Sequence, residues 1–121
     1  MIGVVIVDHG SRRDEANAVF LDLVARFAET SDYTIVEPAH MELAPPTIAD
    51  AFARAVARGA DEIVVHPFFL LPGRHWKHDI PELCAAASHA HGDVPWRLTG
   101  PLGDSAKLLD AIADCIEAAT K

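Results

Sequence analysis

Seven histidines occur in this 121-residue chain, and four of them follow apolar runs in short polar segments. After residues 2–7 comes Asp8-His9-Gly10-Ser11-Arg12-Arg13. After 33–37 comes a stretch holding His40, Met41 and Glu42, closed by Pro45 and Pro46. After 62–70 comes Pro72-Gly73-Arg74-His75-Trp76-Lys77-His78. Imidazole has an ordinary pKa near ~6.5, so it exchanges protons or binds a divalent metal around neutral pH. If His9, His75 and Glu42 meet, two nitrogens and a carboxylate form a donor set suited to Co, Ni, Fe or Zn; Mg and Ca prefer more oxygen. His40 is either part of such a site or a surface group, and His78 is either a neighbour supporting His75 or a helix-start residue. His66, inside an apolar run, reads as a strand residue satisfied beneath the site. His89 and His91 read as solvated residues at a helix end.

Charge placement adds a second signal. Lys plus Arg number 10 and Asp plus Glu 18, a formal charge of −8. An acidic chain is a poor partner for nucleic acid or an anionic membrane surface. Yet Arg12, Arg13, Arg74 and Lys77 immediately flank His9 and His75. Cations gathered beside Ser11 and the two histidines suit an anionic ligand with several carboxylates. No GxGxxG or Walker sequence is present, and Ser11 lacks the GxSxG elbow.

The elements that would position these residues alternate. Residues 2–7 are β-branched and apolar on both faces, as in a strand buried within a parallel sheet. Residues 14–29 repeat apolar side chains at helical spacing, with Ala16, Phe20, Leu23, Val24 and Phe27 on one face. Residues 33–37 read as a short edge strand. Thr47 with Asp50 caps a second helix, which ends at Arg58-Gly59. Residues 62–70 form the third strand. Asp79, Pro81 and Glu82 read as the start of a third helix, residues 95–99 as a weak fourth strand, and Asp104 as the cap of a last helix bearing Leu108, Leu109, Ile112 and Ile116. Cys84 and Cys115 fall on helical apolar stripes and are expected in the core. Four βα units imply one α/β domain over residues 1–121, a four-stranded parallel sheet of order 2-1-3-4 flanked by helices. The loops after strands 1 and 3 would then border one crevice at the carboxyl ends of the strands.

Several segments together resemble the small sirohydrochlorin chelatases, enzymes of class II type that insert cobalt or iron during sirohaem and cobalamin synthesis. They are His9-Gly10-Ser11-Arg12, Met41-Glu42-Leu43-Ala44 with Pro46, Pro67-Phe68-Phe69-Leu70 running into Pro72-Gly73-Arg74-His75, Asp79-Ile80-Pro81-Glu82, and Pro101-Leu102-Gly103. The resemblance covers nearly the whole chain. It implies half of a class II chelatase fold and ATP-independent insertion of Co²⁺, Fe²⁺ or Ni²⁺ into sirohydrochlorin or a close tetrapyrrole. It implies that His9 and His75 bind the metal and take protons, with Glu42 as helper. Arg12, Arg13, Arg74, Lys77 and Ser11 are the expected substrate contacts.

The resemblance also implies a homodimer around one cleft, with the metal as substrate and no permanently bound cofactor or iron–sulfur cluster. Trp76, Phe69, Leu70 and Met41 are candidate apolar contacts for the macrocycle. A base that must be neutral predicts activity falling below about pH 6.5. The competing reading is a cobalt- or nickel-trafficking or sensing module using the same histidines without chemistry. The lack of a signal-like leader and the low cysteine count point to a cytoplasmic protein with no membrane partner.

Overall fold

Val4 to Val7 are all buried, as a run apolar on both faces requires, and they form the middle of β1 (Ile2–Asp8). The computed structural model describes the backbone of residues 1–121 and every side chain except those of Arg74 and His75. In it β1 lies between β2 (Ile35–His40) and β3 (Glu62–Pro67), and β4 (Trp96–Leu98) pairs with β3. All pairings are parallel and the order is β2-β1-β3-β4, as expected. The helices are α1 (Asp14–Thr30), α2 (Ile48–Ala57), α3 (Arg74–Ala90) and α4 (Lys107–Thr120), the last preceded by a 3-10 turn over Leu102–Asp104.

The two sheet faces are covered unequally. On one, Val5, Val7, Ile63 and Val65 pack with Ile48, Phe52 and Ala55 of α2 and with Trp76, Ile80, Cys84 and Ala87 of α3. On the other, Val4, Ile6 and Val36 meet Phe20 and Val24 of α1, with Ala28, Ile2 and Phe68 partly buried at the margin. The start of α2 follows the expected box: Thr47 Oγ1 accepts the Asp50 N–H at 3.0 Å, and Asp50 Oδ2 accepts the Thr47 N–H at 2.9 Å. These bonds hold the Asp50 carboxyl below its usual range.

Four expectations are corrected. Strand β2 runs to His40, so His40 belongs to a strand end; Pro38 is tolerated because β2 is an edge strand. Helix α3 begins at Arg74, and Asp79 and Glu82 lie within it with Pro81. The reason is the buried stripe of Trp76, Ile80, Cys84 and Ala87. Burying Trp76 and Ile80, at roughly 1.5–3 kcal/mol per large side chain, offsets a proline penalty of about 3 kcal/mol. Asp104 ends the 3-10 turn instead of capping α4; Ser105 Oγ accepts the Lys107 N–H at 3.3 Å. Finally, α4 buries none of its residues, so Cys115 is exposed while Cys84 is buried, its thiol pushed up to about 12 by desolvation. Among the described residues no helix is long and apolar enough to cross a membrane.

Candidate active site

The ends of β1 and β2 are laced together beyond the regular ladder. Met41 N–H donates to Asp8 O at 2.8 Å, and Glu42 N–H donates to His9 O at 3.1 Å. This pairing carries the two side chains to the same point, where His9 Nε2 lies 2.9 Å from Glu42 Oε1. Both side chains stay about half exposed, so the pair can be reached from solvent. His9 Nδ1 lies 3.2 Å from Gly10 O.

Gly10 is what lets the two loops approach. Its φ is +92°, and a Cβ there would sit 2.1 Å from Glu42 O. No side chain fits that space, and the backbone conformation itself favours glycine. On the other side of the pair Leu43 takes a φ of 75°, which turns the chain away directly after Glu42. A branched residue in that region is a local strain held by its surroundings.

Behind the pair lies a second histidine–carboxylate contact. His40 is fully buried, and its Nδ1 donates to Asp8 Oδ1 at 2.5 Å. The His40 N–H bonds Pro46 O at 2.7 Å, and its ring packs 5.5 Å from Phe20. The imidazole therefore ties its own strand β2 to β1 and α1, and the residue's backbone ties it to the chain entering α2. Its Nε2 has no partner among the described residues. The expectation of a surface group is thus overturned, and Asp8 emerges as a residue the motif reading passed over. The available signal was its place as the last residue of an otherwise apolar strand.

The first loop is braced from α1. Ser11 N–H donates to Asn17 Oδ1 at 3.0 Å, and Asn17 Nδ2 donates to Ser11 O at 2.7 Å. Ser11 Oγ accepts the Arg13 N–H at 3.0 Å. Arg13 pairs with Glu15 at 3.1 Å, and Arg12 is exposed. Lys77 and His78 are exposed on the first turns of α3, with His78 Nε2 3.3 Å from Glu82 Oε1.

The backbone puts position 75 in the first turn of α3, reached through residues 68–73 from the end of β3, which pairs with β1. The side chains of Arg74 and His75 lie outside the described residues. Asp79 is one helical turn beyond position 75. It lines, with Met41, Glu42, Glu82 and Leu83, a cavity of about 330 Å³ between the β2 loop and α3. Asp79 and Glu82, expected as capping residues, thus face the Glu42 side of the crevice. Among the described residues no three His, Cys, Asp or Glu side chains converge as a metal-holding group.

Trp76 is buried and stacks on Phe69 with centroids 5.3 Å apart and planes 5° from parallel. It is a core residue, so the expected contact with a ligand does not hold for it. Leu70 is exposed, and Met41 is partly buried against the core. His66 is half-buried, its Nδ1 2.7 Å from Thr99 Oγ1. Thr99 gives its own proton to Gly100 O at 2.9 Å, so the imidazole donates from Nδ1. Desolvation pushes the His66 pKa down.

A family model described as CbiX matches residues 3–119. The chain belongs to the CbiX family. It is 51% identical over 115 residues to the chloroplastic sirohydrochlorin ferrochelatase of Arabidopsis thaliana, covering 95% of this chain and 51% of that protein. It is 41% identical over 83 residues to the sirohydrochlorin cobaltochelatase of Methanopyrus kandleri, covering 69% and 58%. A solved CbiX protein of Marinobacter aquaeolei superposes with a TM-score of 0.87 at 29% identity, covering 99% of this chain and 98% of that one. The sirohydrochlorin chelatase SirB of Bacillus subtilis, solved with cobalt, superposes with a TM-score of 0.86 at 28% identity, covering 97% and 50%. This CbiX chain spans about half the length of the first curated relatives it matches.

Proposed function

We propose that this chain inserts a divalent metal, Co²⁺, Fe²⁺ or Ni²⁺, into sirohydrochlorin or a closely related tetrapyrrole without ATP. The observation that carries the proposal is the His9–Glu42 pair, half exposed at the end of β1, next to β3, the strand whose following loop leads into the helix start bearing position 75. Insertion replaces two pyrrole protons by one metal ion, so the site must bind a cation and accept protons at the same place. His9 Nε2 offers one lone pair for either task, and Glu42, 2.9 Å from that nitrogen, draws off the proton it takes up so that the ion can bind. His75 is the second metal ligand, supplied from the start of α3.

Arg12, Arg13, Arg74, Lys77 and Ser11 are assigned to the carboxylates of the macrocycle. Ser11 and Arg13 act at least partly through the shape of the loop, given their bonds to Asn17 and Glu15. The metal is substrate, and no resident cofactor is required for this chemistry. Residues 1–121 act as one chelatase-type domain in a homodimer. Relatives about twice as long support that reading, because one unit offers a flat macrocycle only one wall.

Anaerobic mixing of the protein with Co²⁺ or Fe²⁺ and sirohydrochlorin, followed by absorbance, tests the proposal. The expected result is insertion faster than the uncatalysed reaction and proportional to protein. Metal binding without acceleration would overturn it and point to a metal-carrying module.

A further inference from the structure

Asp8 ends one strand, His40 ends its neighbour, and the parallel register sets the two residues side by side. Their side chains pair, His40 Nδ1 donating to Asp8 Oδ1 at 2.5 Å. A carboxylate only accepts, so the proton of the neutral imidazole sits on Nδ1. The ring is fully buried with its centroid 5.5 Å from that of Phe20, while Asp8 keeps 22% of its side chain exposed.

Packing alone does not call for histidine at this place. An apolar ring of similar size would fill the space beside Phe20 without a buried nitrogen such as Nε2, which lacks a partner among the described residues. What imidazole adds is direction, one donor aimed at one carboxylate.

The surroundings of His9 give that direction a use. Residue 40 meets both chain neighbours of His9. It holds Asp8 through the ring, and it lies so close to Gly10 that a Cβ there would sit 3.0 Å from His40 Cβ. On its own strand the His40 N–H donates to Pro46 O at 2.7 Å, so Glu42 stands in a loop whose base His40 closes. His9 and Glu42 are thus both mounted on residue 40.

We propose that His40 is a positioning residue: its hydrogen bond to Asp8 fixes how the ends of β1 and β2 present His9 Nε2 and Glu42 Oε1 to a divalent metal. The inference rests on the metal-binding role proposed above for that pair. His40 acts through Asp8 and the backbone and touches neither the ion nor the macrocycle. Its loss therefore lowers affinity for the ion and kcat, and leaves KM for the macrocycle in place.

The test exploits two amides. The side-chain nitrogen of asparagine reaches the place of imidazole Nδ1, and that of glutamine the place of Nε2. His40→Asn keeps the donor to Asp8, His40→Gln moves it away, and both lose the same ring beside Phe20. Co²⁺ alone is titrated anaerobically into the full chain and followed by its visible absorption, with circular dichroism on each variant. His40→Asn should bind within roughly threefold of the wild type, and His40→Gln and Asp8→Ala about tenfold more weakly with a changed cobalt spectrum. In the insertion assay the same two variants should lose about tenfold in kcat at unchanged KM for sirohydrochlorin.

Folded asparagine and glutamine variants that bind Co²⁺ equally would overturn the proposal and leave His40 a packing residue. If His40→Gln does not fold, Asp8→Ala set against His40→Asn decides in the same way. A change in KM alone would overturn it in favour of a contact with the macrocycle. The predicted order of Co²⁺ affinities in a protein that inserts no metal would refute the proposed function and leave the positioning role standing.

Discussion

His9 Nε2 and Glu42 Oε1 lie 2.9 Å apart because the backbones carrying them are hydrogen-bonded to each other, Glu42 N–H to His9 O. A pair built in this way acts as one unit, so its members should fail together. His9→Ala should lower the insertion rate by roughly 10²–10⁴-fold, the usual range for a positioned proton acceptor. Glu42→Gln should cost roughly 10–100-fold, the range for a residue orienting a metal-binding imidazole. The double variant should be no slower than His9→Ala alone. Steady-state rates giving additive losses would show two independent roles.

The close approach of the two loops is tested at glycine. Gly10→Ala meets both a positive φ and a backbone oxygen 2.1 Å away, whereas Gly59→Ala meets a φ of +104° and open space. Gly59→Ala should cost about 1 kcal/mol, the conformational penalty alone. Gly10→Ala should cost clearly more and should also disable the site. Urea titrations of the two variants compare the costs directly, and equal midpoints would contradict the crowding.

The Asp8–His40 contact is buried on the His40 side and joins the ends of β1 and β2. Removing either partner leaves the other without its hydrogen bond in a largely desolvated place. His40→Ala and Asp8→Ala should each destabilise the fold by about 1–3 kcal/mol. In urea the midpoint should fall with the slope unchanged. A midpoint within error of the wild type would show that the contact carries no stability.

His66 sets a pH dependence of stability. Its pKa is lowered by burial in the folded chain, so the unfolded chain holds the proton more readily. Stability from this residue is complete above the ordinary imidazole value of about 6.5. It declines as pH falls from there towards the lower folded value. His66→Asn should flatten that part of the stability profile, measured by urea titration between about pH 5 and 7. An unchanged slope in the variant would assign it to another group.

Much of this arrangement is legible in the sequence, and the exceptions have physical causes. The order 2-1-3-4 follows from the βα alternation and the handedness of crossovers. His9 and Glu42 could be placed near each other because they follow neighbouring strands. Local chemistry misleads at 79–82, where Pro81 and its acidic neighbours resemble a helix start. There the buried stripe from Trp76 to Ala87 carries the helix back to Arg74. Pro38 suggests the end of β2 for a similar reason, although an edge strand accommodates it. His40 is not legible because its role depends on Asp8, 32 positions earlier. The exposure of α4 is not legible because the spacing of Leu109, Ile112 and Ile116 reads the same whether or not a surface covers them.

The proposed function depends on two imidazoles and one carboxylate acting on a single ion where β1 and β2 end and α3 begins. The most direct measurement is anaerobic cobalt insertion into sirohydrochlorin by the wild type, His9→Ala and His75→Ala, with circular dichroism on each. The account predicts near-complete loss of insertion in both variants with the helical spectrum intact. Insertion at the wild-type rate in either folded variant would contradict it.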